Sequence, residues 1–225
     1  TGRNIAYLVA AGNHETPRLR STTAALEYAN LVNAISAHGF EVEVLSRDIR
    51  STVLEHMRPG SNPCGLCARL RRGVLYDEAP GRGLNKIALG HHLDDLAETL
   101  LMNLFYTGQI KSMAVDLASD DKRNRVIRPL AYVEESLVAA LSAERGFEPV
   151  HIACPHHSGR EDSRRLRVRA MIDEVARDHP RVRRSMLAAM RHVRPSHLLD
   201  PALAGRSRGP GGTSGTSRGP RRKSR

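Results

Sequence analysis

An α/β architecture, a parallel sheet with helices on both faces, is what this sequence predicts, and three observations predict it. Short apolar runs of strand length alternate with stretches of helical spacing. The strand-like KIAL at 86–89 passes within a few residues into a helix with a leucine stripe. Glycines stand where helical patterns stop, at 39, 108 and 146.

In order along the chain, Asn4 to Ala11 is apolar and short, as a buried strand is. Ser21 to Gly39 has helical spacing, a serine to cap it and a glycine to close it. Glu41 to Leu45 alternates polar and apolar residues, a strand pattern. Ala68 to Ala79 suits a helix that Pro80 to Gly83 breaks, and Lys86 to Gly90 is a strand. From Asp94 the period becomes helical, with Leu96, Leu100 and Leu104 on one stripe and Ala97, Leu101 and Phe105 beside it, until Gly108. A strand is expected around Arg125 to Arg128 and a helix from Glu135 to Arg145. Two further helices, Ser163 to Arg177 and Arg181 to Val193, are separated by Pro180. The domain reading is an α/β domain over 1–150, a Cys-containing basic helical region over 151–203 and a tail over 204–225.

With 225 residues, 40% of them hydrophobic, the chain can bury a core. The formal charge is +11, but Ala204 to Arg225 holds seven Lys and Arg and no acid, leaving 28 basic against 24 acidic residues, or +4, before it. That tail is rich in Gly, Ser, Pro and Arg and is expected to be disordered, serving either as an electrostatic arm for RNA or as a solubilising extension. No run reaches the ~18 apolar residues of a membrane span, and the first residues lack a signal-peptide layout. A soluble, cytoplasmic protein with no membrane partner is expected. Thr1 rather than Met opens the chain, and the first apolar run begins almost at once, as in a sequence whose upstream portion is missing.

Two motifs carry chemistry. PCGLCARLRRG at 63–73 places Cys64 and Cys67 beside Arg69, Arg71 and Arg72; Cys154 is the only other thiol. With His157 these could close a Cys₃His zinc site, while three thiolates alone could hold three irons of a [4Fe-4S] cluster. A solvated basic helix face is the plain role of the arginines. GHHLDD at 90–95 lies beyond a strand's carboxyl end, where open α/β sheets bind ligands. His91, His92, Asp94, Asp95 and Glu98 crowd there, enough to bind a divalent cation; helix capping by the two aspartates is the competing role. GREDSRRLRVR at 159–169 supplies Arg160, Arg164, Arg165, Arg167 and Arg169, suited to an RNA backbone or to a solvated face. Aromatics are 4% with no Trp, so recognition would rest on phosphate and shape rather than stacking.

PCGLCARLRRGVLY, KIALGHHLDDLAETLLMNLFYTGQIKSM and VIRPLAYVEE, in this order, resemble the tRNA 2-thiocytidine synthetases of the ATP-pyrophosphatase (PP-loop) group. The likeness runs from about Asn4 to Arg177 and is strongest between Cys64 and Glu134. It implies a fold similar to the adenine nucleotide alpha hydrolases, and an enzyme that uses ATP and Mg²⁺ to adenylate the C2 oxygen of an anticodon-loop cytidine before sulfur displaces AMP. It implies Cys64, Cys67 and Cys154 as ligands of a [4Fe-4S] cluster, and Asp94, Asp95 and His91 as the catalytic set, Asp94 also being a candidate Mg²⁺ ligand. Arg69, Arg71, Arg72, Arg164 and Arg165 would meet RNA. Implied partners are tRNA and a sulfur donor such as a cysteine desulfurase, with homodimerisation left open.

The chain departs from the pattern twice. The family's SGGKDS phosphate loop and first strand are absent, Asn4 to Ala11 matching the second strand, so weak or no ATP binding, and with it an inactive chain, is expected. CPHHSG at 154–159 has His157 where a further cysteine is common. A noncatalytic RNA-binding protein with a structural Cys₃His zinc site is the alternative.

Overall fold

The computed structural model describes residues 7–12, 32–40, 42–57, 64–147 and 163–199. Strand β1, Tyr7–Gly12, runs parallel to β2, Val42–Arg47, with Tyr7 opposite Val42 and Gly12 opposite Arg47. Between them residues 32–37 are helical (α1), and Gly39 closes that helix at φ +80°, a left-handed value that favours glycine. The expected start of this helix at Ser21 lies outside the described residues.

Helix α2, Ile49–His56, was not expected from periodicity. Its signal is local: the Asp48 side chain accepts the Ser51 backbone N–H at 3.0 Å, and Ile49 and Val53, one turn apart, are buried. Helix α3, Cys64–Gly81, begins four residues before the predicted Ala68 and takes both cysteines into its first turn. It also runs through Pro80 instead of stopping there. Proline cannot donate to the carbonyl of Tyr76, and Asn124 fills that role, its Nδ2 donating to Tyr76 O at 2.9 Å.

Strand β3, Lys86–Ala88, pairs in parallel with β5, Arg125–Ile127, and β4, Asp116–Ala118, joins the other side of β5 antiparallel. The three-stranded sheet, ordered β3-β5-β4, is therefore mixed rather than parallel throughout. Turn chemistry at 119–124 explains the extra strand. Ser119 N–H donates to Asn124 O at 2.8 Å, and Asp121 accepts from the Ser119 hydroxyl at 2.6 Å and the Arg123 backbone at 3.0 Å. These bonds, that of Ser119 first, hold the Asp121 carboxyl at about 2.

Helix α4, Leu93–Thr107, follows β3 and ends at Gly108, φ +65°, whose N–H donates to Asn103 O. Leu96 and Ala97 are buried as the stripe predicts, but Leu104 and Phe105 at its far end are exposed. Helices α5, Glu135–Glu144, α6, Ser163–Asp178, and α7, Val182–Arg191, complete the described helices. Ala97 of α4 meets Val168 and Ile172 of α6, with Leu101, Met102, Val182 and Met186 around them. Thr1–Leu187 forms one compact unit and Ala188–Arg225 another; in the second, the described residues hold the end of α7 and a 3₁₀ turn, Pro195–His197. The expected domain boundaries after residues 150 and 203 lie outside the described residues, as does the tail. Among the described residues no helix is long and apolar enough to cross a membrane.

Because α6 is held on α4 by few large side chains, Ile172→Ala should cost about 3 kcal/mol, seen as a lower urea midpoint at unchanged slope, whereas exposed Leu104→Ala should cost under about 1 kcal/mol. Equal, small effects would mean that α6 is not packed as described.

Candidate functional site

Strands β3 and β5 bring two segments to one edge of the sheet. Ala88 lies opposite Ile127, and Leu89 N–H donates to Ile127 O at 2.9 Å, so the GHHLDD turn after β3 and Arg128 after β5 leave the sheet side by side. The turn is fixed by its own backbone: Leu93 N–H donates to Val133 O at 2.9 Å, and His92 N–H donates to Asp95 Oδ2 at 3.0 Å. Asp95 thus performs the capping-box task expected of an acid in a first helical turn.

Asp94 caps a different helix. Its Oδ2 accepts the backbone N–H of Glu135, first residue of α5, at 2.7 Å, and its Oδ1 pairs with Arg183 Nε of α7 at 2.5 Å. The carboxylate satisfies an orphan amide of α5 and sits at the positive end of that helix dipole. Arg183 is shared with Asp173 of α6. Burial alone would weaken the Arg183 charge, but Asp173 and Asp94 outweigh it and raise its pKa.

Glu98, one turn beyond Asp94, is 2% exposed. Arg169 Nε of α6 donates to its Oε1 at 2.7 Å, and Arg165 Nε approaches its Oε2 at 3.5 Å. The hydrogen bond to Glu98 raises the Arg169 pKa, keeping it charged. Arg169 also reaches Glu135 at 3.0 Å, Arg165 reaches Asp95 at 3.3 Å, and Arg184 reaches Glu134 at 2.7 Å. Four guanidiniums from α6 and α7 therefore meet five carboxylates at the amino ends of α4 and α5.

The adjacent histidines face opposite charge. His92 lies 3.7 Å from Asp94, 3.4 Å from Asp95 and 4.0 Å from Glu135. His91 is half-buried and feels the charges of Arg128, Arg72 and Arg165, with Asp95 acting against them. Burial first, then Arg128, hold its pKa below the ordinary value of 6.5. A neutral imidazole there can accept a proton as a general base. Its Nδ1 and the Nε of Arg128 are buried without a hydrogen-bond partner among the described residues.

Cys64 and Cys67 are three residues apart in the first turn of α3, and Cys67 is half-buried. Cys154, His157 and Arg160 lie outside the described residues. Arg69 and Arg71 are exposed on α3 and Arg72 is half-buried. On α6, Arg164 stacks over the Tyr106 ring at 5.0 Å, and Arg167 is exposed. Arg165 and Arg169 face the acids of α4 instead of standing clear. Among the described residues no three of His, Cys, Asp and Glu converge to hold a metal ion. Sequence reasoning passed over Arg128 and Arg183. The strand-end argument that selected GHHLDD applies equally to Arg128 after VI, whereas the pairing of Arg183 with Asp94 has no local signal because the two are 89 residues apart.

Lowered protonation of His91 has a definite sign for stability. The unfolded chain binds a proton near pH 6.5 that the folded chain refuses, so stability is whole above that pH and falls as pH drops through the folded value. His91→Gln should shrink the loss of stability between about pH 7 and pH 5 in urea titrations; an undiminished loss would exclude His91 as a source.

No family model matches the chain. It is 45% identical over 166 residues to the tRNA-cytidine(32) 2-sulfurtransferase of Syntrophotalea carbinolica, covering 74% of this chain and 64% of that protein. It is 42% identical over 173 residues to the protein of that name from Geobacter sulfurreducens, covering 77% and 67%. The chain thus spans about two thirds of the length of these curated relatives, and slightly less of the former. Among solved structures, the U34-tRNA thiolase NcsA from Methanococcus maripaludis with its [4Fe-4S] cluster aligns with a TM-score of 0.60 at 21% identity, covering 89% of this chain and 67% of that one. At that identity the likeness shows the fold alone: the α/β fold of the adenine nucleotide alpha hydrolase type.

Proposed function

The chain belongs to the tRNA-cytidine(32) 2-sulfurtransferase family, and from this premise we propose that it takes part in ATP-dependent thiolation of an anticodon-loop cytidine in tRNA. The observation that carries the reading is the 45% identity to such a sulfurtransferase over 166 residues. The placement of Cys64 and Cys67 on the first turn of α3 supports it.

The reaction class sets what the residues must do. A pyrimidine C2 oxygen is a poor leaving group. Attack of that oxygen on the α-phosphorus of ATP releases pyrophosphate and makes it part of AMP; sulfur then adds at C2 and AMP departs. Both departures place negative charge where cations must receive it. The half-buried Arg128, directly after β5, stands at a strand end to do so, and His91, kept neutral, is available as a proton acceptor. Asp94 and Asp95 complete the proposed catalytic set, with Asp94 the candidate Mg²⁺ ligand; their engagement by Glu135 N–H, His92 N–H and arginines fixes their orientation.

Cys64, Cys67 and Cys154 would hold the cluster. The donor set fits: two cysteines three apart in the first turn of a helix have the spacing of a cluster-binding pair, and cysteine supplies the thiolate that iron requires. Bound by three thiolates, a [4Fe-4S] cluster supplies an open iron position that can carry sulfur. The proposed partners are tRNA, reached by Arg69, Arg71, Arg72, Arg164 and Arg165, and a sulfur donor such as a cysteine desulfurase; the proposed compartment is the cytoplasm.

Purified without oxygen and reconstituted with iron and sulfide, the chain should hold about four irons and four sulfides, and Cys67→Ala or Cys154→Ala should lose them. One tight zinc and no sulfide would favour the structural Cys₃His site, and full iron in either variant would remove the ligand assignment.

A further inference from the structure

Towards its carboxyl end α4 turns large apolar side chains to solvent. Phe105, Tyr106 and Ile110 just beyond them are 51%, 37% and 64% exposed. Asp94, Glu98, Leu101 and Phe105 follow at three- or four-residue spacing, so Phe105 continues the face that meets α6, roughly 16 Å along the axis from Asp94. The segment after the helix is tied back onto it. Asn103 Nδ2 donates to Lys111 O at 3.1 Å, Gln109 N–H to Asn103 O at 3.2 Å, and the Ser112 hydroxyl to Leu96 O at 2.7 Å. Ile110 is therefore held beside α4 while its side chain stays open to water.

Charge along these segments has one sign. Thr99 to Val115 and Arg164 to Ile172 contain no Asp or Glu. Arg164 lies over the Tyr106 ring at 5.0 Å, exposed Arg167 follows one turn along α6, and exposed Lys111 follows Ile110. Neighbouring arginines of α6 serve different ends of α4: Arg165 turns to Asp95 and Glu98, Arg164 to Tyr106. Aromatic and apolar side chains edged by cations suit a polyanion that also has flat apolar faces, which is single-stranded nucleic acid. A duplex keeps its base faces stacked on one another and cannot offer them. We propose that Phe105, Tyr106 and Ile110, edged by Lys111, Arg164 and Arg167, form a stacking platform for unpaired RNA nucleotides. The inference rests on the tRNA reading above and adds where loop nucleotides are held, on the same helix that carries Asp94 and Asp95 at its other end. It departs from the expectation, set by 4% aromatic content, that recognition would do without stacking.

The test titrates the 225-residue chain into a fluorescein-labelled single-stranded oligoribonucleotide, and into the same strand annealed to its complement, by anisotropy over a series of salt concentrations. The single strand should bind roughly tenfold or more tightly than the duplex. Phe105→Ala should weaken single-strand binding roughly fivefold or more at an unchanged salt slope, and Phe105→Tyr should restore it. Arg167→Gln should instead flatten the slope of log K against log salt by about 0.7. Leu137→Ala, equally open on α5, should change affinity less than about twofold. Phe105→Leu, which keeps apolar bulk without a ring, carries the test if Phe105→Ala does not fold. Equal affinity for strand and duplex, or a loss in Leu137→Ala as large as in Phe105→Ala, would overturn the platform and leave the tRNA reading standing. No binding of either RNA by the parent chain would overturn both. A parent dimer in sedimentation that Phe105→Ala converts to monomer, with RNA affinity unchanged, would overturn the platform and assign the surface to a second copy.

Discussion

A buried carboxylate organises this protein. Glu98 lies in the middle of the α4–α6 contact, where an uncompensated charge would cost several kcal/mol, and it is tolerated because Arg169 donates to it directly and Arg165 stands close by. The apolar contacts of Ala97 with Val168 and Ile172 give the two helices affinity but little register. The fork of Arg169, reaching Glu98 and Glu135 together, supplies the register. Once α6 is set, Arg165 falls on Asp95, and Arg183 from the next helix falls on Asp94.

This arrangement reconciles the two roles that compete for Asp94 and Asp95. Both carboxylates do helix-end work, Asp95 for α4 and Asp94 for α5, and both are oriented by arginines. Capping and a place in the reaction are compatible, because a capped carboxylate is also a positioned one. The cation-rich side of the site lies at His91, Arg72 and Arg128, and the acid-rich side at His92, so one pair of neighbouring residues marks the line between them.

Much of the fold was legible in the sequence, for physical reasons that differ by element. Helix α4 declared both ends, with acids in the first turn and a left-handed Gly108 after the last, and its stripe faces the core as far as Leu101. Helix α3 was stopped too early because that limit is tertiary: Asn124 rescues the carbonyl that Pro80 abandons, 48 residues away in sequence. Strand β4 escaped notice because three exposed residues show no periodicity, the hairpin being set by Ser119, Asp121 and Asn124. In the candidate site, clustering selected His91, His92, Asp94, Asp95 and Glu98, whereas the arginines paired with its carboxylates come from distant helices where they read as a basic face.

The most direct test is a double-mutant cycle on Glu98→Gln and Arg169→Gln, followed by urea unfolding at neutral pH. If the buried carboxylate and its arginine set the register of α6 on α4, the coupling energy should exceed about 1 kcal/mol, with each single variant costing more than the pair removed together would suggest. A coupling below about 0.3 kcal/mol would contradict the account and leave apolar packing alone to hold the helices.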